Sequence, residues 1–405
     1  MAEYDFDKIV DRRGSGCYKW DAELPEGVHL GPRERERLIP MWVADMDFPV
    51  APCIQEAIRR RAEHGVFGYV KVGDSFYDAI SRWFFGRHGV SFSREWMLYT
   101  TGVVPAISAV IKALACEGQG VIIQTPVYNC FFSSVRNSGC TLVQSPLLRR
   151  SLPDGRFSYE MDYEDLERKC ADPANRILLL CNPHNPVGRL WTAEELRRAG
   201  EIALRHGVIV VSDEIHCEIV APGRSYVPFA SLGEDFLHGS VTLVSPSKSF
   251  NFAGLKIAAI ISDRPEWRQK IDRVINIYEI CDVNPFGPVA LEAAYSPEGA
   301  QWLEGMNAAV WRNYGLLLET FAARLPQLAV ADLQATYLVW VDVSALNMPS
   351  ERIEASLLEN EQVWINAGGM YGSDPYIRIN LACPPPLFKE GLERLVTGFK
   401  RLLAE

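Results

Sequence analysis

Short apolar runs recur between about residues 98 and 262, and they constrain the fold more than any other feature of the sequence. They are Val121–Ile123, Thr141–Val143, Ile177–Leu180, Val208–Val211, Val241–Val244 and Ile257–Ile261. The runs are continuous rather than alternating, which is typical of strands covered on both faces. Helical patterns separate many of them. The sequence therefore predicts an α/β fold, with a mostly parallel sheet and helices on both of its faces.

Local signals define several further elements. Thr192-Ala-Glu-Glu195 is a capping box, and the helix that it opens is expected to stop at Gly207. The stretch from about 297 to 325 predicts a long helix. The segments Tyr337–Asp342 and Tyr376–Asn380 alternate as half-exposed strands do, which predicts a smaller α+β C-terminal domain. The predicted division is an N-terminal segment over 1–45 that packs with the small domain, a large domain over 46–290 and a small domain over 291–405.

Composition narrows the classes of partner. The formal net charge of −10 argues against a general affinity for nucleic acid or for an anionic membrane surface. The residues from Met1 to Lys8 lack the apolar core of a signal peptide, and no apolar run approaches the roughly 20 residues of a membrane span. The ten cysteines are scattered singly, which predicts reduced thiols in a cytoplasmic protein and no metal site. Small molecules or another copy of the chain are the expected partners.

Lys248 is the strongest candidate for chemistry. It lies in Ser245-Pro-Ser-Lys-Ser, directly after the apolar run Val241–Val244. An amine at the end of a buried strand is desolvated, so its pKa falls and it becomes a nucleophile able to form a Schiff base with a carbonyl. The hydroxyls of Ser245 and Ser247 could hold a phosphate. Pyridoxal 5′-phosphate (PLP) requires both an amine that captures an aldehyde and a phosphate cradle.

Other candidates follow strand ends, where ligands collect in α/β sheets. Asp213 follows the run Val208–Val211, and its carboxylate could keep a pyridine nitrogen protonated. A helix N-cap or a loop salt bridge is the alternative. His216 could bind the phenolic oxygen of the ring or be a structural histidine. Tyr128 could stack on a planar ring, although ordinary packing would also explain it.

Two further side chains fit a ligand with both a ring and a carboxylate. The turn from Asn182 to Gly188 contains two Asn-Pro steps and could aim the Asn185 amide at the phenolic oxygen. A plain turn is the alternative. Arg378 alternates with apolar residues on its strand and could clamp a carboxylate with two hydrogen bonds. A structural salt bridge is the alternative, and for this residue taken alone it is the favoured one.

A phosphate site is predicted before the helical pattern 106–115. Backbone N–H groups at a helix N-terminus bind anions, and a glycine there allows close approach. The phosphate would be held by Thr101, Gly102 and Val103 on one side and by Ser245 and Ser247 on the other. Lys256 could neutralise its charge. An ordinary helix start is the alternative.

Together and in this order, these segments resemble the fold-type-I PLP enzymes of the aspartate aminotransferase superfamily, from about residue 35 to the C-terminus. Three segments, Pro40–Pro49, Thr101–Ala106 and Ser212–His216, are similar to the cystathionine β-lyase or C–S lyase branch, the MalY- and PatB-like proteins. The resemblance implies a three-layer αβα large domain with a mostly parallel sheet of seven strands, and a smaller α+β C-terminal domain.

The resemblance also implies roles for single residues. The catalytic ones are Lys248, which forms the Schiff base, Asp213, which pairs with the pyridine nitrogen, and Tyr128, which stacks on the ring. PLP would be bound by Thr101, Gly102, Val103, Tyr128, Asn185, Asp213, His216, Ser245, Ser247, Lys248, Lys256 and Tyr69. The substrate would be bound by Arg378 through its α-carboxylate, and by Asn185, Trp42 and Asp45. Tyr69 would reach the cofactor phosphate of a neighbouring subunit, which implies a homodimer with shared sites.

The implied function is β-elimination from L-cystathionine or another cysteine S-conjugate, giving a thiol, pyruvate and ammonia. Aminotransferases of the superfamily usually have tyrosine where this chain has His216, and commonly arginine where it has Lys256. Both differences fit the lyase branch. The segment 366–372 follows the glycine–aromatic turn of the family only loosely. The alternatives are an aminotransferase on the same scaffold, a lyase for a large thiol conjugate, and a regulatory or binding protein that has kept the PLP pocket.

Overall fold

The structure is a computed structural model, and it describes residues 4–404. In chain order its strands are β1 (Ile39–Pro40), β2 (Met97–Thr100), β3 (Gly120–Ile123), β4 (Thr141–Gln144), β5 (Leu148–Ser151), β6 (Phe157–Glu160), β7 (Asn175–Cys181), β8 (Ile209–Asp213), β9 (Ser240–Val244), β10 (Ala258–Ile261), β11 (Ala329–Val330), β12 (Leu338–Asp342), β13 (Val363–Trp364), β14 (Asn366–Ala367) and β15 (Tyr376–Asn380).

The helices join and flank these strands. They are α1 (Tyr18–Asp21), α2 (Pro32–Arg37), α3 (Pro52–Glu63), α4 (Asp74–His88), α5 (Val103–Leu114), α6 (Asn129–Asn137), α7 (Tyr163–Ala171), α8 (Ala193–Arg205), α9 (Glu234–His238), α10 (Pro265–Ile277), α11 (Gly287–Ala294), α12 (Pro297–Arg324), α13 (Ser350–Glu361) and α14 (Pro385–Ala404). Among residues 4–404, no helix is both long enough and apolar enough to cross a membrane.

Within the described chain, seven strands form the central sheet in the order β2-β10-β9-β8-β7-β3-β4. The pairs from β9 through β8, β7 and β3 to β4 are parallel, and β10 is antiparallel to both of its neighbours. The predicted mostly parallel sheet is therefore confirmed. Because the strands run in parallel from β9 to β4, their carboxyl ends meet at one edge of the sheet.

The two faces of the central sheet explain the continuous apolar runs. On β7, Ile177 and Leu179 belong to a core cluster with residues of α5 and α10. Leu178 and Leu180 belong to another cluster, with residues of α7 and α8. Since successive side chains point to opposite faces, a strand with helices on both sides buries every residue. The run Thr141–Val143 is the exception, because β4 is the last strand in the sheet order and is partly exposed.

The C-terminal part has a second sheet in the order β11-β12-β15-β14, with antiparallel pairs. Helix α12 confirms the long helix predicted for 297–325. The prediction that Tyr337–Asp342 and Tyr376–Asn380 are half-exposed is wrong, because both strands are almost wholly buried. Val339 and Val341 lie in the cluster of α12 and α14, whereas Trp340 packs in a cluster with residues of the large domain. In β12, alternation thus separates Val339 and Val341 from Trp340 in two apolar clusters, whereas in β15 it separates the apolar Ile377 and Ile379 from the buried polar Arg378 and Asn380.

Most residues from Tyr4 to Arg37 are partly or fully exposed, and Phe6, Lys19, Trp20 and Val28 are buried. Strand β1 pairs in parallel with β13, so this segment docks on the C-terminal part of the chain. The predicted boundary at 290/291 falls inside α11. The division into segments 1–45, 46–290 and 291–405 remains a prediction.

Candidate active site

A cavity of about 490 Å³ lies at the carboxyl ends of the parallel strands. Its lining includes ten of the predicted site residues: Thr101, Gly102, Val103, Tyr128, Asn185, Asp213, His216, Ser247, Lys248 and Lys256. They come from loops and strand ends that are far apart in the sequence. The topology of the sheet is what brings them together.

Lys248 reaches this cavity from the loop after β9. Its Nζ donates a hydrogen bond to the Ala44 carbonyl at 2.5 Å. Burial lowers the pKa of Lys248 to about 8, an effect that the charge of Asp45 opposes and the charge of Arg378 reinforces. The direction is the one expected from the sequence. A neutral, nucleophilic amine is therefore accessible near physiological pH.

Asp213 is the last residue of β8 and is buried. One carboxylate oxygen accepts a hydrogen bond from the Ile215 N–H at 3.1 Å. Burial raises the pKa of Asp213 to about 7, although the Ile215 N–H and the charge of Lys248 act in the opposite direction. A cationic group placed against this carboxylate would lower its pKa again. The site is therefore suited to a ligand with a protonated ring nitrogen.

His216 lines the same cavity and is almost completely buried. Its Nδ1 has no hydrogen-bond partner within the described part of the chain. Burial holds the pKa of His216 well below its usual value, and the charges of Lys248 and Arg378 add to this effect. The ring packs edge-on against Tyr337, with centroids 5.9 Å apart. A neutral imidazole with an unused nitrogen is available to a ligand here.

Asn185 lines the cavity and is hydrogen-bonded to Arg378. Asn185 lies in the turn between β7 and α8, and its Oδ1 accepts a hydrogen bond from Arg378 Nη1 at 3.2 Å. Arg378 projects from β15 and donates through Nη2 to the Trp42 carbonyl at 2.8 Å. Its guanidinium also lies 4.7 Å above the Tyr371 ring. Arg378 Nε has no hydrogen-bond partner among residues 4–404, so this buried cation retains capacity for an anion.

Residues at the start of α5 form the opposite end of the cavity. Gly102 is the N-cap of this helix and Val103 is its first residue, so backbone N–H groups of the first turn lack helical partners. Ser247 and Lys256 line the same cavity. A helix N-terminus, a hydroxyl and an ammonium group together are the chemistry that binds phosphate.

Five predicted residues are not part of the cavity lining: Arg378, which is hydrogen-bonded to Asn185, and Ser245, Tyr69, Trp42 and Asp45. The hydroxyl of Ser245 donates to the Ile257 carbonyl at 2.6 Å and accepts from the Ser247 N–H at 3.1 Å, so Ser245 supports the loop of Lys248. Tyr69 is fully exposed. The Trp42 ring stacks on Trp364 at 4.2 Å, and only its carbonyl contacts Arg378. The carboxylate of Asp45 pairs with Arg12 at 2.7 Å.

Sequence reasoning missed other contributors. Ala44 acts through its carbonyl, which accepts from both Lys248 and the Tyr337 hydroxyl. A backbone carbonyl has no signature in the sequence. Tyr371 supports the guanidinium of Arg378. The glycine–aromatic segment 366–372 was the available signal for it.

The family of the chain follows from comparison with known proteins. The model of the aminotransferase class I and II family matches residues 37–395, so the chain belongs to that family. It is 37% identical over 393 residues to the cystathionine beta-lyase PatB of Bacillus subtilis (strain 168), across 96% of this chain and 98% of PatB. It is 32% identical over 401 residues to the protein MalY of Escherichia coli (strain K12), across 98% and 99% of the two chains.

A solved structure matches over the same length. The crystal structure of cystalysin from Treponema denticola, which contains a pyridoxal 5′-phosphate cofactor, superposes with a TM-score of 0.90 at 30% identity. The match covers 99% of this chain and 100% of cystalysin. The fold implied by the resemblance is thus confirmed.

Proposed function

We propose that the protein is a PLP-dependent carbon–sulfur β-lyase that cleaves L-cystathionine or another cysteine S-conjugate to a thiol, pyruvate and ammonia. One observation carries the proposal: the Lys248 amine and the Asp213 carboxylate, both with pKa values displaced towards neutrality, line one cavity that ends at the N-terminus of α5. The likeness to PatB and to cystalysin supports the same reaction class.

The residues present fit PLP. Lys248 would bind its aldehyde carbon, Asp213 its ring nitrogen, and Asn185 and His216 its phenolic oxygen. The unpartnered Nδ1 of His216 agrees with a bound ring at this place. Tyr128 would lie against the ring, and the phosphate would be held by Thr101, Gly102, Val103, Ser247 and Lys256. When bound, PLP supplies an electron sink for negative charge at the Cα atom of an amino acid.

The residues of this chain would then have separate tasks. Arg378 would bind the substrate α-carboxylate, since it is a buried cation with an unused Nε and is bonded to Asn185, which lines the cavity. The released Lys248 amine would take the proton from Cα as a general base, because a pKa of about 8 leaves part of it neutral near pH 7. Loss of that proton allows the bond between Cβ and sulfur to break with departure of a thiolate, which takes up a proton to give the thiol. Water then hydrolyses the remaining three-carbon fragment to pyruvate and ammonia.

The test removes the amine. Lys248→Ala should abolish pyruvate release from cystathionine, because no other amine would then attach the cofactor or remove the proton from Cα. Borohydride reduction should attach a pyridoxyl group to residue 248 of the wild-type protein, as peptide mass spectrometry would detect. Lys270→Ala, at an exposed position of α10, is the matched control and should keep full activity. Multiple turnovers by Lys248→Ala would refute the assignment.

An aminotransferase is the second candidate, because the matching family is that of aminotransferases of class I and II. The two activities differ in their need for an acceptor. Pyruvate and thiol release without an added keto acid identifies the lyase, whereas strict dependence on a keto acid identifies the aminotransferase. If the protein represses gene expression and Lys248→Ala leaves that repression unchanged, a regulatory protein would be favoured instead.

We further propose a homodimer in which Tyr69 of each subunit reaches the cofactor phosphate of the other. The support is its exposure: Tyr69 is 100% exposed and lies beside the exposed Val66 and Phe67, while Ile277 and Tyr278 at the end of α10 are also exposed. Large apolar side chains on a surface often mark an interface. A location in the cytoplasm, with no nucleic acid or membrane as partner, also remains a proposal. The ten cysteines, all of them free thiols, agree with a reducing compartment.

A further inference from the structure

Residues 42–47, which we call the strap, run between the two parts of the molecule beside the cavity. Two of their backbone carbonyls accept hydrogen bonds from the two cations of the site. The Ala44 carbonyl accepts from Lys248 Nζ at 2.5 Å, and the Trp42 carbonyl accepts from Arg378 Nη2 at 2.8 Å. The position of the strap therefore influences where both cations lie.

Several side chains hold the rest of the strap: Asn380 Nδ2 donates to the Val43 and Asp45 carbonyls at 2.6 Å, and Asn251 Nδ2 donates to the Met46 carbonyl at 2.9 Å. From the N-terminal segment, Arg12 adds contacts to three strap residues. Arg12 donates to the Asp45 carboxylate at 2.7 Å, to the Met46 carbonyl at 2.7 Å and to the Asp47 carboxylate at 2.7 Å. These are three consecutive strap residues. A guanidinium has a planar fork of donors, which fixes the orientation of its partners as well as their distance.

A buried ion pair with Lys19 also fixes the position of the Asp47 carboxylate. Lys19 Nζ lies 2.6 Å from the Asp47 carboxylate, and the two side chains are only 1% and 2% exposed. Trp20 Nε1 donates to the same carboxylate at 2.8 Å. Burial by itself lowers the pKa of Lys19, but the charges of Asp47 and Asp45 outweigh it and raise the pKa. The carboxylate at the end of the strap thus has one well-defined position.

Arg12 itself does not line the cavity of the candidate active site. Any effect that it has on the site must pass through the strap. A second cavity, of about 650 Å³, lies beside Arg12 and is also lined by Asp45 and Asp47. Shortening Arg12 would therefore leave room in which a small cation could bind to the same carboxylates.

We propose that Arg12 is a positioning residue, which holds the strap so that the carbonyls of Trp42 and Ala44 stay against Arg378 and Lys248. It thereby sets the affinity for the substrate carboxylate. This inference rests on the proposed role of Arg378. Without Arg12 the strap gains freedom, and the wall of the carboxylate site must be ordered again each time a substrate binds.

The first test is hydrogen exchange of strap amides in the cofactor-free protein. The N–H of Met46 donates to Asn251 Oδ1 at 2.9 Å and the N–H of Asp47 to the Ala382 carbonyl at 2.9 Å. In Arg12→Ala both amides should exchange about tenfold faster or more, because the strap opens locally. Millimolar guanidinium should slow the exchange again by occupying the vacated space.

The second test separates positioning from stability. Arg12→Ala should raise KM for the cysteine S-conjugate about tenfold or more while kcat falls less than about threefold, since the reacting groups are intact. A merely unstable protein would lose active molecules, which lowers the apparent kcat and leaves KM unchanged. Guanidinium should restore KM as well.

Arg13→Ala is the matched control. Arg13 is the next residue, lies 4.6 Å above the Trp20 ring and donates to the Glu36 carbonyl at 3.0 Å. Its hydrogen bonds are to residues outside the strap. Strap exchange and KM should both stay at the wild-type values in this variant. Equal effects of the two substitutions would overturn the proposal, and so would faster exchange in Arg12→Ala without a rise in KM.

Arg12→Lys serves if Arg12→Ala does not fold. A lysine keeps the charge but cannot hold three acceptors in one plane, so exchange and KM should both rise, by less than in the alanine variant. Wild-type values of both would overturn the proposal. A wild-type protein that releases no pyruvate would contradict the proposed function alone. The role of Arg12 would then be tested by hydrogen exchange of the strap amides and by the affinity of the PLP-loaded protein for L-alanine, measured by calorimetry. Both should change in Arg12→Ala if Arg12 positions the strap.

Discussion

At the scale of single residues, burial displaces the pKa values of the two central side chains in opposite directions. The charged form is disfavoured in both cases, so the pKa of Lys248 falls to about 8 and the pKa of Asp213 rises to about 7. A carboxylate held in this way costs stability in the cofactor-free protein. In the proposed function the same carboxylate binds a protonated ring nitrogen. Under that proposal, stability and cofactor binding oppose each other at this position.

Asp213→Asn should reveal this opposition. A folded-state pKa of about 7, above the unfolded value of about 3.9, means that stability is lost as pH rises between these values. The amide cannot ionise, so it should raise the free energy of unfolding of the cofactor-free protein at pH 8, by up to about 4 kcal/mol, and hardly change it at pH 4. Urea unfolding at both pH values measures the difference.

The same variant should bind PLP more weakly, as equilibrium dialysis would measure. Asparagine keeps an acceptor for the Ile215 N–H, so the local turn should be preserved. An equal effect of the substitution on unfolding at pH 4 and pH 8 would contradict the assigned burial cost. Unchanged PLP affinity would contradict the role of Asp213 at the ring nitrogen.

At the scale of elements, the sequence predicts the ends of a helix correctly but does not predict how deeply particular strands are buried. Helix α8 begins after Thr192 and ends before Gly207, as its capping box and glycine predict, because both signals act within one turn. The burial of β12 was missed, since its two faces meet different parts of the molecule. The exposure of β4 was missed because strand order depends on pairings distant in sequence.

The same distinction applies to the candidate site. Lys248, Asp213 and Asn185 could be recognised because each follows an apolar run, and strand ends meet at one edge of a parallel sheet. The strap carbonyls could not be recognised, because every residue has a carbonyl and only the fold decides which ones face a cation. The contact of Arg12 with Asp47 spans 35 residues, and no spacing rule relates the two.

The buried ion pair between Lys19 of α1 and Asp47 of the strap leads to a prediction about how these two elements stabilise the fold. Lys19→Met should lower the free energy of unfolding by about 3 kcal/mol, because it leaves the buried Asp47 carboxylate without its nearest cation. Adding Asp47→Asn should recover part of that loss, since the buried charge that lost Lys19 is then gone while its pairing with Arg12 is lost as well. Urea unfolding of the two single variants and the double variant measures the coupling. Strictly additive losses would contradict a direct interaction.

At the scale of the whole molecule, the cavity of one chain is lined by Lys248 but not by Tyr69. Tyr69 is fully exposed and follows the exposed Val66 and Phe67. If two copies associate through this region, each site takes Lys248 from one subunit and Tyr69 from the partner. The proposed dimer would then be a condition for a complete site rather than a separate property.

Mixing two defective variants tests this arrangement. Lys248→Ala and Tyr69→Ala homodimers should each be nearly inactive, because every site lacks one group. In a hybrid dimer one site has both defects and the other has none. Since random association makes about half of the dimers hybrids, co-refolding equal amounts should restore about one quarter of the wild-type activity. Pyruvate release after co-refolding, compared with the same proteins refolded apart and then mixed, is the measurement. If Tyr69 instead served its own subunit, both defects in the hybrid would stay in separate, incomplete sites, and co-refolding would restore nothing.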